Sequence, residues 1–90
     1  MTKALISVTG LDTTGIIARV ATKLADLNIN ILDISQTIVN GYFNMMMIAD
    51  LSGKKKHFAE VSSELDDLGK EIGVMIKIQK EEIFDLIHRV

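Results

Sequence analysis

The chain switches between stretches where apolar residues recur every second position and stretches where they recur every third or fourth. Residues 4–9 (Ala-Leu-Ile-Ser-Val-Thr) make an apolar run of strand length and predict a first strand. Residues 14–27 predict a first helix, because Ile17, Val20, Ala21 and Leu24 fall at i, i+3, i+4 and i+7. Asn28 follows where a left-handed cap is expected, a role usually filled by Gly and sometimes by Asn. Residues 29–39 and 42–51 predict a second and a third strand. Between them stands Asn40-Gly41, the strongest short-range signal for a two-residue hairpin turn.

That turn predicts the register. Val39 faces Tyr42, so Ile38 pairs with Phe43, Gln36 with Met45, Ile34 with Met47 and Leu32 with Ala49. The last four pairs share a face on which only Gln36 is polar, and it is the expected core side. The other face carries Ile31/Asp50, Asp33/Ile48, Ser35/Met46, Thr37/Asn44 and Val39/Tyr42, a mixed set. A one-residue slip would destroy this separation. One core side and one mixed side is the pattern of a sheet covered by helices on a single face.

Further along, Ser52-Gly53 reads as a turn. Residues 54–70 predict a second helix with Phe58, Val61, Leu65 and Leu68 on one stripe, ended by Gly69 or Gly73. Residues 74–79 alternate cleanly and predict a fourth strand with Val74, Ile76 and Ile78 inward. Residues 81–90 predict a short amphipathic tail helix with Ile83, Phe84 and Ile87 apolar. The order βαββαβ predicts an α+β fold, the ferredoxin-like sandwich: a four-stranded antiparallel sheet with two helices on one face, plus the C-terminal helix. Residues 1–90 are expected to form one domain, with its core in residues 4–79.

Composition narrows the function. A net charge of −2 argues against direct contact with nucleic acid, which normally needs a basic face. The absence of cysteine removes disulfides, thiolate metal sites and thiol catalysis. The longest apolar run, Met45 to Ala49, is far short of the roughly 20 residues of a membrane span. The N-terminal residues lack a signal-peptide pattern, so a cytoplasmic location and no membrane association are expected. An apolar fraction of 48% in so short a chain predicts apolar surface covered by a partner.

The candidate chemistry lies in Gly10-Leu11-Asp12-Thr13-Thr14-Gly15, which joins the first strand to the first helix. Such a turn leaves helix N-terminal N–H groups unpaired and converging, a place for an anion such as a carboxylate. The N–H groups of Gly15, Ile16 and Ile17 suit a carboxylate, and Asp12 suits an ammonium. An amino acid carries both groups close together. The plainer role for Asp12, Thr13 or Thr14 is to cap the helix, worth about 1 kcal/mol. The two roles are compatible.

The same run, Gly10 to Ala18, followed by Leu24-Ala25-Asp26-Leu27-Asn28-Ile29-Asn30-Ile31, resembles the ACT domain. The family pattern sets an Asp or Asn, two residues, then Gly and aliphatics opening the helix, with an Asn-Ile pair starting the second strand. Asp12, Gly15, Asn30 and Ile31 fall on those positions. Thr14 stands where proline is common, and Asn28 where glycine is common. Ile34 to Thr37 and Tyr42 to Met46 look like the stand-alone subgroup related to the glycine-cleavage-system repressor. The resemblance covers about residues 4–79. It implies a small regulatory module that binds an amino acid or similar small molecule, usually as a homodimer with ligands near the subunit interface. Carried over by position, Leu11, Asp12, Thr13, Thr14, Gly15, Ile16, Asn30 and Ile31 would line that site.

Other residues have plain readings. Asn30 either contacts a ligand or pairs with a neighbouring loop. Gln36 is expected as a satisfied buried amide, or else at the sheet edge in a dimer contact. Met45 and Met47 belong to the core. Met46, Ile48 and Tyr42 predict an apolar patch on the uncovered face, suited to association. Lys54-Lys55-Lys56-His57 opposes the macrodipole at a helix start, so part of it stays in the turn as a solvated run. His57 and His88 stand apart from other ligand types, and no metal site is expected. No serine has a histidine at a recognisable spacing, and phosphate-loop and dinucleotide fingerprints are missing. Neither an enzyme nor a cofactor is expected. RNA-binding domains of this fold need exposed aromatics on strands one and three, where this chain offers few. Acylphosphatases need an arginine in the phosphate loop, and this loop has none. The alternative to ligand sensing is a ligand-free protein-interaction module.

Overall fold

The hairpin turn organises the sheet. In the computed structural model, which describes residues 2–80, Asn40 and Gly41 have φ of 55° and 81°. Two successive positive φ values make the turn whose twist matches the strands it joins. It links β2 (Asn30–Val39) to β3 (Tyr42–Asp50), and the expected register holds from Val39/Tyr42 through Asp33/Ile48. There it departs. The strand bulges at Leu32, so Ala49 faces Ile31 rather than Leu32, and Asp50 faces Asn30 rather than Ile31. A bulge inserts one residue and resets everything beyond it, which alternation alone cannot reveal.

β1 (Lys3–Leu11) pairs antiparallel with β3 on one side and with β4 (Val74–Lys80) on the other, giving the order β2-β3-β1-β4. The helices are α1 (Ile16–Asp26) and α2 (Phe58–Ile72). Ala4, Ile6 and Val8 of β1 and Met45 and Met47 of β3 share a single core with Val20 and Leu24 of α1 and Val61 and Leu65 of α2. Both helices therefore cover one face of the sheet and leave the other open. This is the ferredoxin-like α+β sandwich. The expected tail helix, residues 81–90, lies outside the described residues. No helix among the described residues is long and apolar enough to cross a membrane.

Several local expectations change. α1 begins at Ile16 rather than Thr14, because Gly15 takes a left-handed φ of 90° that a helix cannot contain. Its buried face is Ile16, Val20 and Leu24, and Ile17 is 43% exposed. α2 begins at Phe58 with His57 at its N-cap, so Lys54 to Lys56 all stay in the loop before the helix. Gly73, with φ of 80°, ends that helix. Asn28 is left-handed as expected, with φ of 59°, and its Nδ2 donates to the Gly53 carbonyl at 2.7 Å.

The largest correction concerns β2. Ile34, Gln36, Ile38 and Leu32 were expected on the core side, yet all four are exposed. Ile34 is 44% and Ile38 58% exposed, while their β3 partners Met47 and Phe43 are buried. β2 is an edge strand that the helices do not cover. Gln36 is consequently an exposed edge residue and not a buried amide.

Candidate functional site

The loop between β1 and α1 is held from both ends. β1 continues two residues beyond its expected end, with Gly10 opposite Phe43 and Leu11 opposite Tyr42. Gly10 is also opposite Val74, and a Cβ there would lie 2.9 Å from Val74 Cγ1 and 3.1 Å from its Cα. The start of β4 thus leaves no room for a side chain at Gly10. Beyond it the Asp12 N–H donates to the Gly41 carbonyl at 3.0 Å, tying the loop to the hairpin turn. Sequence reasoning missed Gly41 as an anchor, because the contact joins residues far apart in the chain.

Leu11 through Gly15 are exposed, whereas the Ile16 side chain is buried. Ile16 can therefore face a ligand only through its N–H. No side chain caps α1, so the capping role open to Asp12, Thr13 or Thr14 is not taken up. The first helical hydrogen bond runs from the Arg19 N–H to the Gly15 carbonyl at 2.9 Å. Among the described residues no hydrogen bond engages the N–H groups of Gly15, Ile16 or Ile17. The exposed Asp12 carboxylate lies in the loop just before these donors. This arrangement can hold a carboxylate on the donors and a cation on Asp12.

Asn30 and Ile31 do not join this loop within one chain. Asn30 is opposite Asp50, and Asp50 is opposite Lys3, at the far end of β1 from Leu11. From Tyr42 to Asp50 is eight residue steps, roughly 27 Å at a rise of about 3.4 Å. The loop sits at the Tyr42 end and Asn30 at the other. The Asn30 side chain makes no hydrogen bond to a neighbouring loop among the described residues. Near it, Asp50 accepts from the Ser52 hydroxyl at 2.6 Å and the Ser52 N–H at 2.9 Å. Those two bonds hold the Asp50 carboxyl below the usual carboxylate range.

A polar hollow of about 430 Å³ lies between α1 and α2 and contains none of the predicted site residues. Ion pairs bridge it, Arg19 to Glu71 at 2.6 Å and Lys23 to Glu64 at 3.2 Å. Lys56 reaches the other Glu64 oxygen at 2.6 Å. These hydrogen bonds, from Lys56 first and then Lys23, lower the Glu64 pKa, and the same partner raises that of Lys56. The hollow is a clamp between helices. On the open face, Tyr42 and Met46 are exposed and Ile48 is half-buried, the patch expected there.

The family model for the ACT domain matches residues 2–79. The chain belongs to the ACT domain family. A UPF0237 protein of Bifidobacterium longum is 57% identical over 90 residues, covering all of both chains. The structure of an ACT domain protein from Streptococcus pneumoniae superposes with a TM-score of 0.83 at 42% identity, over 93% of this chain and 94% of that one. A proposed glycine cleavage system transcriptional repressor shares the fold, with a TM-score of 0.76 at 20% identity over 88% of this chain and 45% of that one. ACT domains are regulatory modules that bind small molecules.

Proposed function

We propose that this ACT domain senses an amino acid or a similarly small zwitterion at the loop between β1 and α1. The observation that carries the reading is the uncapped start of α1, with the N–H groups of Gly15, Ile16 and Ile17 unengaged beside the exposed Asp12. The donors and the dipole favour the ligand carboxylate, and Asp12 favours its ammonium. Leu11, Thr13 and Thr14 complete the loop wall. Asn30 and Ile31 enter the site from a second copy of the chain, since roughly 27 Å of strand separates them from their own loop. The working unit is therefore a homodimer.

A thermal-shift panel of the common amino acids tests this reading. A ligand at a hundred times its dissociation constant adds about 2.7 kcal/mol of stability. For a domain of this size that raises the melting temperature by roughly 10–20 °C. Asp12→Ala should abolish the response while leaving the unliganded melting point nearly unchanged, because Asp12 caps nothing. If no amino acid raises the melting point at millimolar concentration, free amino acids are not the ligand. A second reading, a ligand-free interaction module, is favoured by the exposed Met46 and Tyr42 on the open face. It expects Met46→Lys or Ile48→Lys to abolish association, with no amino-acid response.

A further inference from the structure

The open face of the sheet holds an apolar patch inside a divided frame of charge. Leu5 is opposite Ile48, and Met46 is the next open-face residue of β3. Met46 is exposed, and Leu5 and Ile48 are half-buried. Beside them a hollow of about 310 Å³ is lined by Leu5, Ser7, Met46, Lys77, Ile78 and Gln79. The cations of this face, Lys3 and Lys77, stand on β1 and β4, and the anions Asp50 and Asp33 stand on β3 and β2. The last strand ends level with the patch: Gln79 is opposite Leu5 and Lys80 is opposite Ala4. Lys80 is anchored on the helix side, where its Nζ lies 5.3 Å from the centre of the Phe58 ring.

We propose that residues 81–90 of the same chain lie as a helix across the open face, from β4 towards β3, over Leu5, Met46 and Ile48. In this segment Ile83, Leu86, Ile87 and Val90 fall at i, i+3, i+4 and i+7, an apolar stripe that a helix buries against another surface. The lengths agree. Residues 83–90 run roughly 10 Å at about 1.5 Å per helical residue, and the two strand spacings from β4 to β3 are also roughly 10 Å. The order of charge agrees as well. The segment opens on Glu81 and Glu82, next to Lys77 and Lys3, and closes on Arg89, towards Asp50 and Asp33. Ile83 meets the hollow beside β4, and Ile87 covers Met46 and Ile48. Tethering at Lys80 keeps the segment beside its own patch at a high effective concentration, ahead of any second copy. Leu11, Tyr42 and Val39, one row at the far end of the face, stay uncovered. Association through the open face is thereby confined to that row.

Cysteine pairs in the full chain test this directly, because it has no cysteine of its own. Under mild oxidation Met46→Cys/Ile87→Cys should close an intrachain disulfide far faster than Tyr42→Cys/Ile87→Cys. Tyr42 is on the same strand and face as Met46 but roughly 14 Å away at about 3.4 Å per residue, outside disulfide reach of the same helix position. Equal rates for the two pairs would overturn the proposal. So would links formed mainly between chains at micromolar concentration, which would give the face to a second copy. The methionine methyl groups supply a readout that needs no cysteine. In the methyl NMR spectrum of the full chain, Ile83→Ser/Ile87→Ser should move the Met46 signal. Met75, exposed opposite Thr9 at the other end of the open face, should keep its position. An unmoved Met46 signal would overturn the proposal and leave the patch to a foreign partner, and equal movement at both methionines would overturn it by showing a general change in the sheet.

Discussion

The two edges of the sheet carry similar sequences and have opposite fates. On β4, Ile76 is buried and Val74 and Ile78 are half-buried beneath α2. On β2, Ile34 and Ile38 are exposed, although they too lie on the helix side. The difference comes from how closely a helix approaches. α2 carries Gly69 where it meets β4, and a Cβ there would lie 2.6 Å from the Val74 carbonyl oxygen and 3.3 Å from the Ile76 nitrogen. The missing side chain lets helix and strand backbones touch. α1 directs Ile16, Val20 and Leu24 into the core and leaves β2 overhanging. One edge is finished by its own chain, and the other is left for something else to cover.

The sharpest way to break this comparison is to truncate one isoleucine on each edge. Ile76→Ala should cost about 2–5 kcal/mol, the range for emptying a buried site. Ile38→Ala should stay within about 0.5 kcal/mol for the monomer, as an exposed position does. Urea denaturation at matched protein concentration, low enough to suppress self-association, measures both. Equal losses would erase the distinction between the edges.

Gly69→Ala tests the cause of the close approach. Its methyl group meets β4 backbone, which cannot rotate aside, and the expected cost is about 1–3 kcal/mol. Hydrogen exchange at the β4 amides should accelerate as the helix is pushed away. A neutral substitution with unchanged exchange would show that the contact does not hold α2 in place.

The smallest effect concerns the clamp between the helices. Glu64 has its pKa lowered by hydrogen bonds from Lys56 and Lys23. A carboxyl lowered in the folded state contributes stability above its unfolded value and loses it as pH falls through the folded one. Lys56, raised by Glu64, contributes below its unfolded value and loses that contribution as pH rises through the raised one. Both groups are solvent-accessible, so the changes should be slight and should shrink further in salt. Stability curves of the unmodified protein and Glu64→Gln should converge in acid and separate modestly near neutrality. Curves that separate most in acid would contradict the clamp.

Much of the fold was legible in the chain. Asn40-Gly41 predicted the turn and, through it, the pairing of seven successive residues from Val39 to Asp33. Asn28 announced its left-handed backbone, and the stripe Val61, Leu65 and Leu68 announced the buried side of α2. The bulge at Leu32 was invisible, because an extra residue leaves the alternation on either side intact. Of the candidate site, the loop and its exposed Asp12 were legible, as was the place where a helix begins, to within two residues. The separation of Asn30 from that loop was not. Both belong to one family pattern in sequence, yet strand direction sends them to opposite ends of the sheet.

The sequence by itself determined what is local: the alternation that assigns side chains to faces, the residues that tolerate a left-handed backbone, and the Gly-Asp-Thr loop that frees helix N–H groups. These are set within a few bonds, by sterics and by the hydrogen bonds a short segment can satisfy. Only the tertiary structure decided which inward faces are covered and which candidate residues meet. Burial depends on whether another element can approach closely, and proximity depends on strand order and direction. In this ACT domain both work through contacts between distant parts of the chain, Gly69 against Val74 and Asp12 against Gly41, and through the lack of cover over Leu32 to Val39 of β2.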